Sequence, residues 1–307
     1  MHALLVVNPK ATTTTPRSRD VLVHALSADL DVEVVETTHR GHAVELGRRA
    51  AKEGHDLLIA LGGDGTVNEA VNGLLENGPH PEGPALAVVP GGSTNVFARA
   101  LGMPDDPVEA TGMLLDALRE GRRRTVGLAT ADGRWFTFCA GMGLDAEVVG
   151  EVERRRARGS RPTGTLFLRS ALGKFYRETE RDQPGLTLSI PGEVDVEGVF
   201  MVVVQNTAPW TYLGSMAIHA CPDASFDTGI DLFGLTRLRT LSTARHVRQL
   251  FAPNAVPRGR DVVARHDLPA MTVRASRPTA VQLDGEPIGV REQVHFVAHP
   301  EALSVVV

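Results

Sequence analysis

Short apolar runs alternate with helical spacings through the first third of the chain. Ala3–Val7, Val32–Glu36, Leu57–Leu61 and Ala85–Val89 are brief, mostly branched or apolar, and bounded by turn residues, as buried strands are. Between them, Arg17–Leu30, Gly41–Glu53 and Thr66–Leu75 carry apolar residues at three- and four-residue spacing, which predicts helices with one buried face. Strand and helix in alternation predict an α/β domain: a parallel sheet with flanking helices and right-handed crossovers. Ligands in such sheets sit at the C-terminal ends of the strands.

After a further predicted helix at Pro107–Glu120 the pattern changes. The basic triplet Arg122–Arg124 reads as a hinge. Strand-like runs follow at Trp135–Ala140, Leu186–Ile190, Val199–Gln205, Ile230–Leu235, Met271–Ala275, Ala280–Leu283 and Val294–Ala298. Their spacing and Gly/Pro punctuation predict a β-rich, antiparallel, sandwich-like second domain, interrupted by helices near Leu166–Glu180 and Ser242–Phe251. The expected division is residues 1–124, then 125–295, with 296–307 a strand returning to the first domain. There is no internal repeat, and Thr12–Thr15 reads as a loop.

With 307 residues and 42% hydrophobic content the chain can bury a core in each of two domains. Its net charge of −5 is the opposite of what a general nucleic-acid binder carries. Cys139 and Cys221 have no CxxC partner and are expected to be buried, reduced thiols. The start, MHALLVVNPK, lacks a signal peptide's basic and long apolar regions, and no stretch approaches 18 uninterrupted apolar residues. The expectation is a soluble cytoplasmic protein that can still visit a membrane surface. The sequence is silent on oligomeric state.

The strongest chemical signal lies where the apolar strand Leu57–Leu61 runs into Gly62-Gly63-Asp64-Gly65-Thr66 and a helix follows. Glycines permit a sharp turn that exposes N–H groups, and a helix start adds partial positive charge, so this geometry cradles phosphate oxygens. Asp64 would repel phosphate directly; its sensible roles are to hold Mg²⁺ or a hydroxyl, or, in an ordinary αβ connection, to cap the helix. Asn8-Pro9-Lys10 ends the first strand and Pro90-Gly91-Gly92-Ser93-Thr94-Asn95 the fourth, so three such turns converge on one sheet edge. There is no Walker A motif, no GxGxxG after the first strand and no protein-kinase motif set.

These residues resemble the diacylglycerol kinase catalytic domain family, the bacterial soluble lipid-kinase branch related to sphingosine kinases and more distantly to NAD kinases and phosphofructokinases. The hallmark block is Gly62-Gly-Asp-Gly-Thr-Val-Asn-Glu-Ala-Val-Asn-Gly-Leu74. Asn8-Pro9, Thr38 with Gly41-His42-Ala43, Pro90–Asn95 with Phe97-Ala98-Arg99, and Leu283-Asp-Gly-Glu286 follow in family order. The resemblance implies an N-terminal nucleotide-binding α/β domain of NAD kinase/diacylglycerol kinase type, a β-rich acceptor domain and an ATP site in the cleft between them. Its implied nucleotide contacts are Asn8, Pro9, Lys10, Ala11, Thr12, Thr38, Gly63, Asp64, Gly65, Thr66, Val67, Asn68, Glu69 and Ser93, with Asp64 helping to organise Mg²⁺-ATP.

Glu286 stands at the tip of a strand ending in a glycine turn. A carboxylate within reach of a substrate hydroxyl can take its proton as phosphorus is attacked. In isolation the same DGE is an ordinary turn with solvated acids; the resemblance assigns Glu286 the proton-acceptor role and leaves Asp284 a supporting or metal-associated one. His39 and His42 flank the nucleotide loop and are expected to be solvated or capping.

The chain departs from the family pattern in three places. Members carry Pro-x-Ala followed by Asp-Asp-Gly, whose second Asp holds a structural Mg²⁺. Here Thr228 takes that place, flanked at the other ligand positions by Ser225 and Ile230, so this secondary metal site is expected to be weak or absent. The first turn reads Asn-Pro-Lys-Ala-Thr in place of Asn-Pro-x-Ser-Gly, and Val96 stands where lipid kinases commonly have Asp.

Residues 151–181 hold a net +5 in an otherwise acidic chain, with Arg154, Arg155, Arg156, Arg158 and Arg161 ahead of Leu166, Phe167, Leu168, Leu172, Phe175 and Tyr176. Such a segment docks on anionic lipid or is a solvated face beside a core helix. Residues 207–215 line an acceptor pocket or form a buried loop. The sequence thus leads to a kinase, dependent on ATP and Mg²⁺, that phosphorylates a lipid hydroxyl at a membrane surface, diacylglycerol foremost, in lipid metabolism. A sphingoid base or other alcohol as acceptor, and a nucleotide-binding regulator without turnover, are the alternatives.

Overall fold

Apolar side chains along the whole of a short run leave no solvent face, and the central strands of the first sheet are such runs. Strands β1 (His2–Val7), β2 (Asp31–Glu36), β3 (Leu57–Gly62) and β4 (Ala85–Pro90) pair in parallel in the order β4-β3-β1-β2, with Leu5 opposite both Ile59 and Val34 and Ile59 opposite Ala87. The central strands are buried throughout, whereas β2 at the edge is only partly covered. Helices α1 (Pro16–Asp29), α2 (His42–Glu53), α3 (Asp64–Leu74), α4 (Val96–Ala100) and α5 (Pro107–Glu120) complete this part. At α5 the local chemistry is explicit: the Asp106 carboxylate accepts from the N–H groups of Val108 and Glu109, Pro107 opens the helix, and Gly121 ends it in the left-handed conformation.

This computed structural model describes residues 1–12, 16–157, 184–238, 240–251 and 256–307. Two units emerge, Met1–Leu128 with His299–Val307, and Ala129–Ala298. The C-terminal residues enter the first sheet, where Val305 pairs in parallel with Leu86.

Helices α2 and α3 approach through glycines. A Cβ on Gly73 would collide with the Val44 carbonyl and lie 2.8 Å from the Arg48 nitrogen; one on Gly47 would lie 2.5 Å from the Ala70 carbonyl. All of these are backbone atoms, which cannot swing aside. Gly73→Ala is therefore expected to cost about 2–3 kcal/mol by overpacking, despite alanine's better helix propensity. Urea denaturation checks this; a stability equal to the parent's would show that the helices part without cost.

In the second unit the strands are β5 (Arg123–Ala131, which begins in the first unit), β6 (Arg134–Phe136), β7 (Cys139–Gly143), β8 (Leu186–Ser189), β9 (Val196–Val199), β10 (Met201–Gln205), β11 (Thr211–Leu213), β12 (Met216–Ile218), β13 (Ile230–Leu235), β14 (Val262–Leu268), β15 (Ala270–Leu283) and β16 (Glu286–Val306). Two helices, α6 (Leu144–Ala157) and α7 (Thr240–Leu250), accompany them. The ladder runs β14-β13-β10-β7-β15-β16 and is antiparallel, with β8 on β15 and β9 on β8. Alternation along β10 and β13 serves two cores: Val202, Val204 and Leu232 join Met271, Val281 and Phe296, while Met201, Val203 and Phe233 join Ile218, Leu238 and Leu250. Residues 207–215 belong to the second of these packings. Thr211–Leu213 pairs with Met216–Ile218, and Ala208, Trp210 and Leu213 lie against its buried residues.

Several expectations need correction. Arg122–Arg124 does not form a loop of its own: the Arg122 guanidinium bonds Glu120 and the Val307 carbonyl, and β5 starts at Arg123. The expected strand Trp135–Ala140 is broken at Thr137–Phe138, whose N–H groups serve a side chain instead of a ladder. Met271–Ala275 and Ala280–Leu283 are one strand, with a register shift absorbing the polar residues between them. The expected helix Leu166–Glu180 and most of the basic segment lie outside the described residues; within α6, Arg154 and Arg155 pair with Glu151.

Candidate active-site residues

In the first unit, β3 gives way to α3 at Gly62–Gly63, and two features force glycine there. A Cβ on Gly62 would lie 2.6 Å from the Thr66 Oγ1, and one on Gly92 would lie 2.6 Å from the Gly63 Cα. The turns after β3 and β4 thus meet backbone to backbone, joined by the Gly91 N–H donating to the Gly62 carbonyl at 2.9 Å. Asn95, in the left-handed conformation at φ 49°, holds the second turn. Its Oδ1 accepts from Gly92 N–H at 2.8 Å, and its Nδ2 donates to the Gly92 carbonyl and to Asp105. Asp64 does not cap α3, since Gly63 occupies that position. Its Oδ1 instead accepts from Phe97 N–H at 3.2 Å, tying the β3 turn to α4.

The remaining turns attach to the same helix. Asn8 donates from Nδ2 to Thr66 Oγ1 at 3.0 Å, and its Oδ1 accepts from Lys10 N–H, which shapes the turn through Ala11. Glu69 accepts from the N–H groups of Gly41 and Ala43, so its carboxylate caps α2. Thr38 N–H donates to His42 Nδ1 at 3.1 Å, which makes that nitrogen the unprotonated one; His39 stacks on the His42 ring at 4.9 Å. Pro9, Lys10, Thr12, Thr38 and Ser93 are exposed, and Gly63, Asp64 and Gly65 are half-buried. Val67 and Asn68 are buried, the latter bonded by Asn72, and with Glu69 they support the turn from beneath. A helix start, glycines without Cβ atoms and a single carboxylate are suited to phosphate with a magnesium ion, which takes one or two protein carboxylates and completes its shell from phosphates and water.

In the second unit, β15 and β16 join through Asp284–Gly285. Both have positive φ, 48° and 78°, which makes a type I′ hairpin, with Leu283 paired to Glu286 across it. Asp284 is 4% exposed. Its carboxylate accepts from Thr137 N–H and Oγ1 at 2.7 and 2.9 Å and from Phe138 and Cys139 N–H at 3.0 and 3.1 Å. Four donors occupy the two oxygens, which makes Asp284 an anchor for residues 137–139 and leaves no room for a metal. Glu286, half-buried, leaves this anchored turn as the first residue of β16.

The secondary cation position does not fit a metal. The Thr228 hydroxyl donates to the Ser225 carbonyl at 3.1 Å, the Ser225 Oγ accepts from Asp227 N–H, and Ile230 is a core residue. Among the described residues no group of three or more His, Cys, Asp and Glu side chains is arranged to hold a metal. Nearby, buried Asp231 is bonded by His266 at 2.9 Å, which raises the imidazole pKa. Sequence reasoning named Asn95 only as the last residue of a glycine turn and did not find Thr137, which carried no signal.

An α/β unit with glycine turns at its strand ends thus accompanies a β-rich unit bearing an anchored carboxylate turn. The model of the diacylglycerol kinase catalytic domain matches residues 2–131. The chain is 30% identical over 266 residues to the diacylglycerol kinase of Bacillus subtilis (strain 168), covering 81% of this chain and 77% of that one. It is 28% identical over 286 residues to a Chromohalobacter salexigens protein named "Probable lipid kinase YegS-like", covering 92% and 86%. A Bacillus anthracis str. Sterne crystal structure bearing the diacylglycerol kinase name shares the fold, with TM-score 0.77 at 23% identity over 99% of this chain and 96% of that one. The protein belongs to the diacylglycerol kinase catalytic domain family. No helix among its described residues is long and apolar enough to cross a membrane.

Proposed function

We propose that this protein is an ATP-dependent lipid kinase that transfers the γ-phosphoryl group to a lipid hydroxyl, with diacylglycerol as acceptor and phosphatidic acid as product. The observation that carries this reading is the backbone-to-backbone meeting of the Gly62–Thr66 and Gly91–Asn95 turns at the start of α3, inside a chain whose relatives are named lipid kinases. When bound, Mg²⁺-ATP supplies the phosphoryl group and the charge that neutralises the developing negative charge. The N–H groups of the glycine turns would hold phosphate oxygens and Asp64 would hold the magnesium ion, while Asn8 and Glu69 keep the surrounding loops in register. The Glu286 carboxylate takes the proton of the acceptor hydroxyl as its oxygen bonds to the γ-phosphorus; the bond to the β,γ-bridging oxygen breaks and ADP leaves.

The test is transfer of labelled phosphate from Mg²⁺-ATP to diacylglycerol and to sphingosine, offered separately in mixed micelles. Labelled phosphatidic acid is the expected product. Label on sphingosine alone would keep the reaction and replace the acceptor. ATP binding without label on any lipid would overturn the kinase reading in favour of a regulator without turnover, which the Thr228–Ser225 hydrogen bond at the secondary cation position favours.

A further inference from the structure

Gln282 lies on β15 two residues before the Asp284–Gly285 turn and is 1% exposed. Its Oε1 accepts from the Gly285 N–H at 2.8 Å, and its Nε2 donates to Asp145 Oδ2 at 2.9 Å. Asp145, in the first turn of α6, is itself 8% exposed, and the room for this bridge comes from Gly141, where a Cβ would collide with the Asp145 carboxylate. The two ends of a carboxamide are chemically opposite. Reversing the amide would set its NH₂ against the Gly285 N–H and its carbonyl against a carboxylate, so Asp145 dictates which way Gln282 points.

Burying a carboxylate for a single hydrogen bond is unfavourable, and desolvation pushes the Asp145 pKa up to about 6 against the lowering effect of Gln282. For stability alone apolar residues at both positions would serve at least as well. What the carboxylate does supply is direction: a neutral partner would accept either end of the amide. On the far side of the same hairpin, Asp284 binds residues 137–139. The turn is held at both of its residues by side chains.

We infer that Gln282 and Asp145 are positioning residues for Glu286: Asp145 orients the Gln282 amide, and the amide locks the Gly285 N–H and with it the turn from which Glu286 departs. The inference rests on the reading of Glu286 as the proton acceptor. Among the described residues, the strands packed on α6 include β7, β10 and β15. Strand β7 brings Cys139, whose Sγ is 3.7 Å from Gln282 Nε2; β10 and residues 281–283 of β15 bring none. On its own helix lie Glu147 and Glu151, the latter held by Arg154 and Arg155. As pH falls through the Asp145 pKa the carboxyl becomes a neutral acid that can donate as well as accept, so it no longer holds the amide in a single orientation and the bond to the Gly285 N–H loosens.

Two readouts on the full-length chain test this: kcat and KM for labelled phosphate transfer from Mg²⁺-ATP to diacylglycerol micelles between pH 5.5 and 8, and exchange of the Gly285 amide by NMR. Gln282→Leu keeps the size and removes both polar ends. It is expected to lower kcat about 10- to 100-fold at unchanged KM for ATP, the scale of an ångström-level misplacement, and to deprotect the Gly285 amide. Asp145→Asn removes the titration; the ratio of wild-type to variant kcat, in which ionisation of ATP and of Glu286 cancels, is expected to fall below pH 6.5. A Gly285 amide equally protected in Gln282→Leu, or parallel pH profiles for wild type and Asp145→Asn, would overturn the inference. If wild type phosphorylates no lipid, the reading of Glu286 fails by itself, while Gly285 exchange in the two variants still decides whether the clamp exists.

Discussion

Glu286→Gln is expected to lower lipid phosphorylation by about three orders of magnitude in kcat, within the 10²–10⁴ range for loss of a general base, and to leave ATP affinity within about twofold. The substitution keeps the side chain's length and shape, so the paired position opposite Leu283 and the type I′ turn before it are undisturbed. What is lost is the capacity to accept a proton, since a carboxamide is not basic at neutral pH. Single-turnover transfer of labelled phosphate reads the chemical step, and titration calorimetry with a non-hydrolysable ATP analogue reads the binding. Full turnover in this variant would remove Glu286 from the mechanism, and a matching loss of ATP affinity would make it a binding residue. Unfolding temperature is expected to stay within about 2 °C of the parent's, the consequence of a half-buried position with solvent on one side.

Asp284→Asn, two residues away, is expected to behave in the opposite manner. Each of its carboxylate oxygens accepts two hydrogen bonds, all from buried donors on residues 137–139. Turned with its NH₂ toward Thr137, the amide can donate to the rotatable hydroxyl but still sets an N–H against the Thr137 backbone N–H; turned the other way it faces the two backbone N–H groups of Phe138 and Cys139, in an interior where water does not compensate. The expected cost is about 3–5 kcal/mol, enough to lower the melting temperature by on the order of 10 °C in a domain of this size. Differential scanning calorimetry checks it. A melting temperature within 2 °C of the parent's would mean that residues 137–139 find other acceptors, and the anchoring role would fall. The pair of variants separates the two acids of one short turn: one is judged by rate at constant stability, the other by stability.

The contrast shows which parts of this protein a linear reading reaches. Strands β1, β3 and β4 were legible because nearly all their side chains are apolar, β2 because its valines alternate with acids at its start, and helices α2, α3 and α5 because their buried residues recur with the helical period; these signals are local. The Gly62–Thr66 turn was legible for the same reason, since the strand, the glycines and the helix start are contiguous. Helix α6 was not: its second half is dominated by charge, and the apolar residues that bury it are spread too thinly to show a period. The break at Thr137–Phe138 was also invisible, because an apolar run gives no hint that its N–H groups will be claimed by an acid 146 residues further on.

Residue type and short spacing determined the fold class, the glycine turns at the strand ends and the presence of two acids at a hairpin tip. Only the tertiary structure decided what each acid does. Asp284 faces four donors and is an anchor, Glu69 faces two helix N–H groups and is a cap, and Asp145 meets a glutamine from 137 residues away. The physical reason is that periodicity and turn chemistry act between neighbours in the chain. A carboxylate's role is set by whichever donors, charges and solvent the folded chain places around it, and these come from any distance along the sequence.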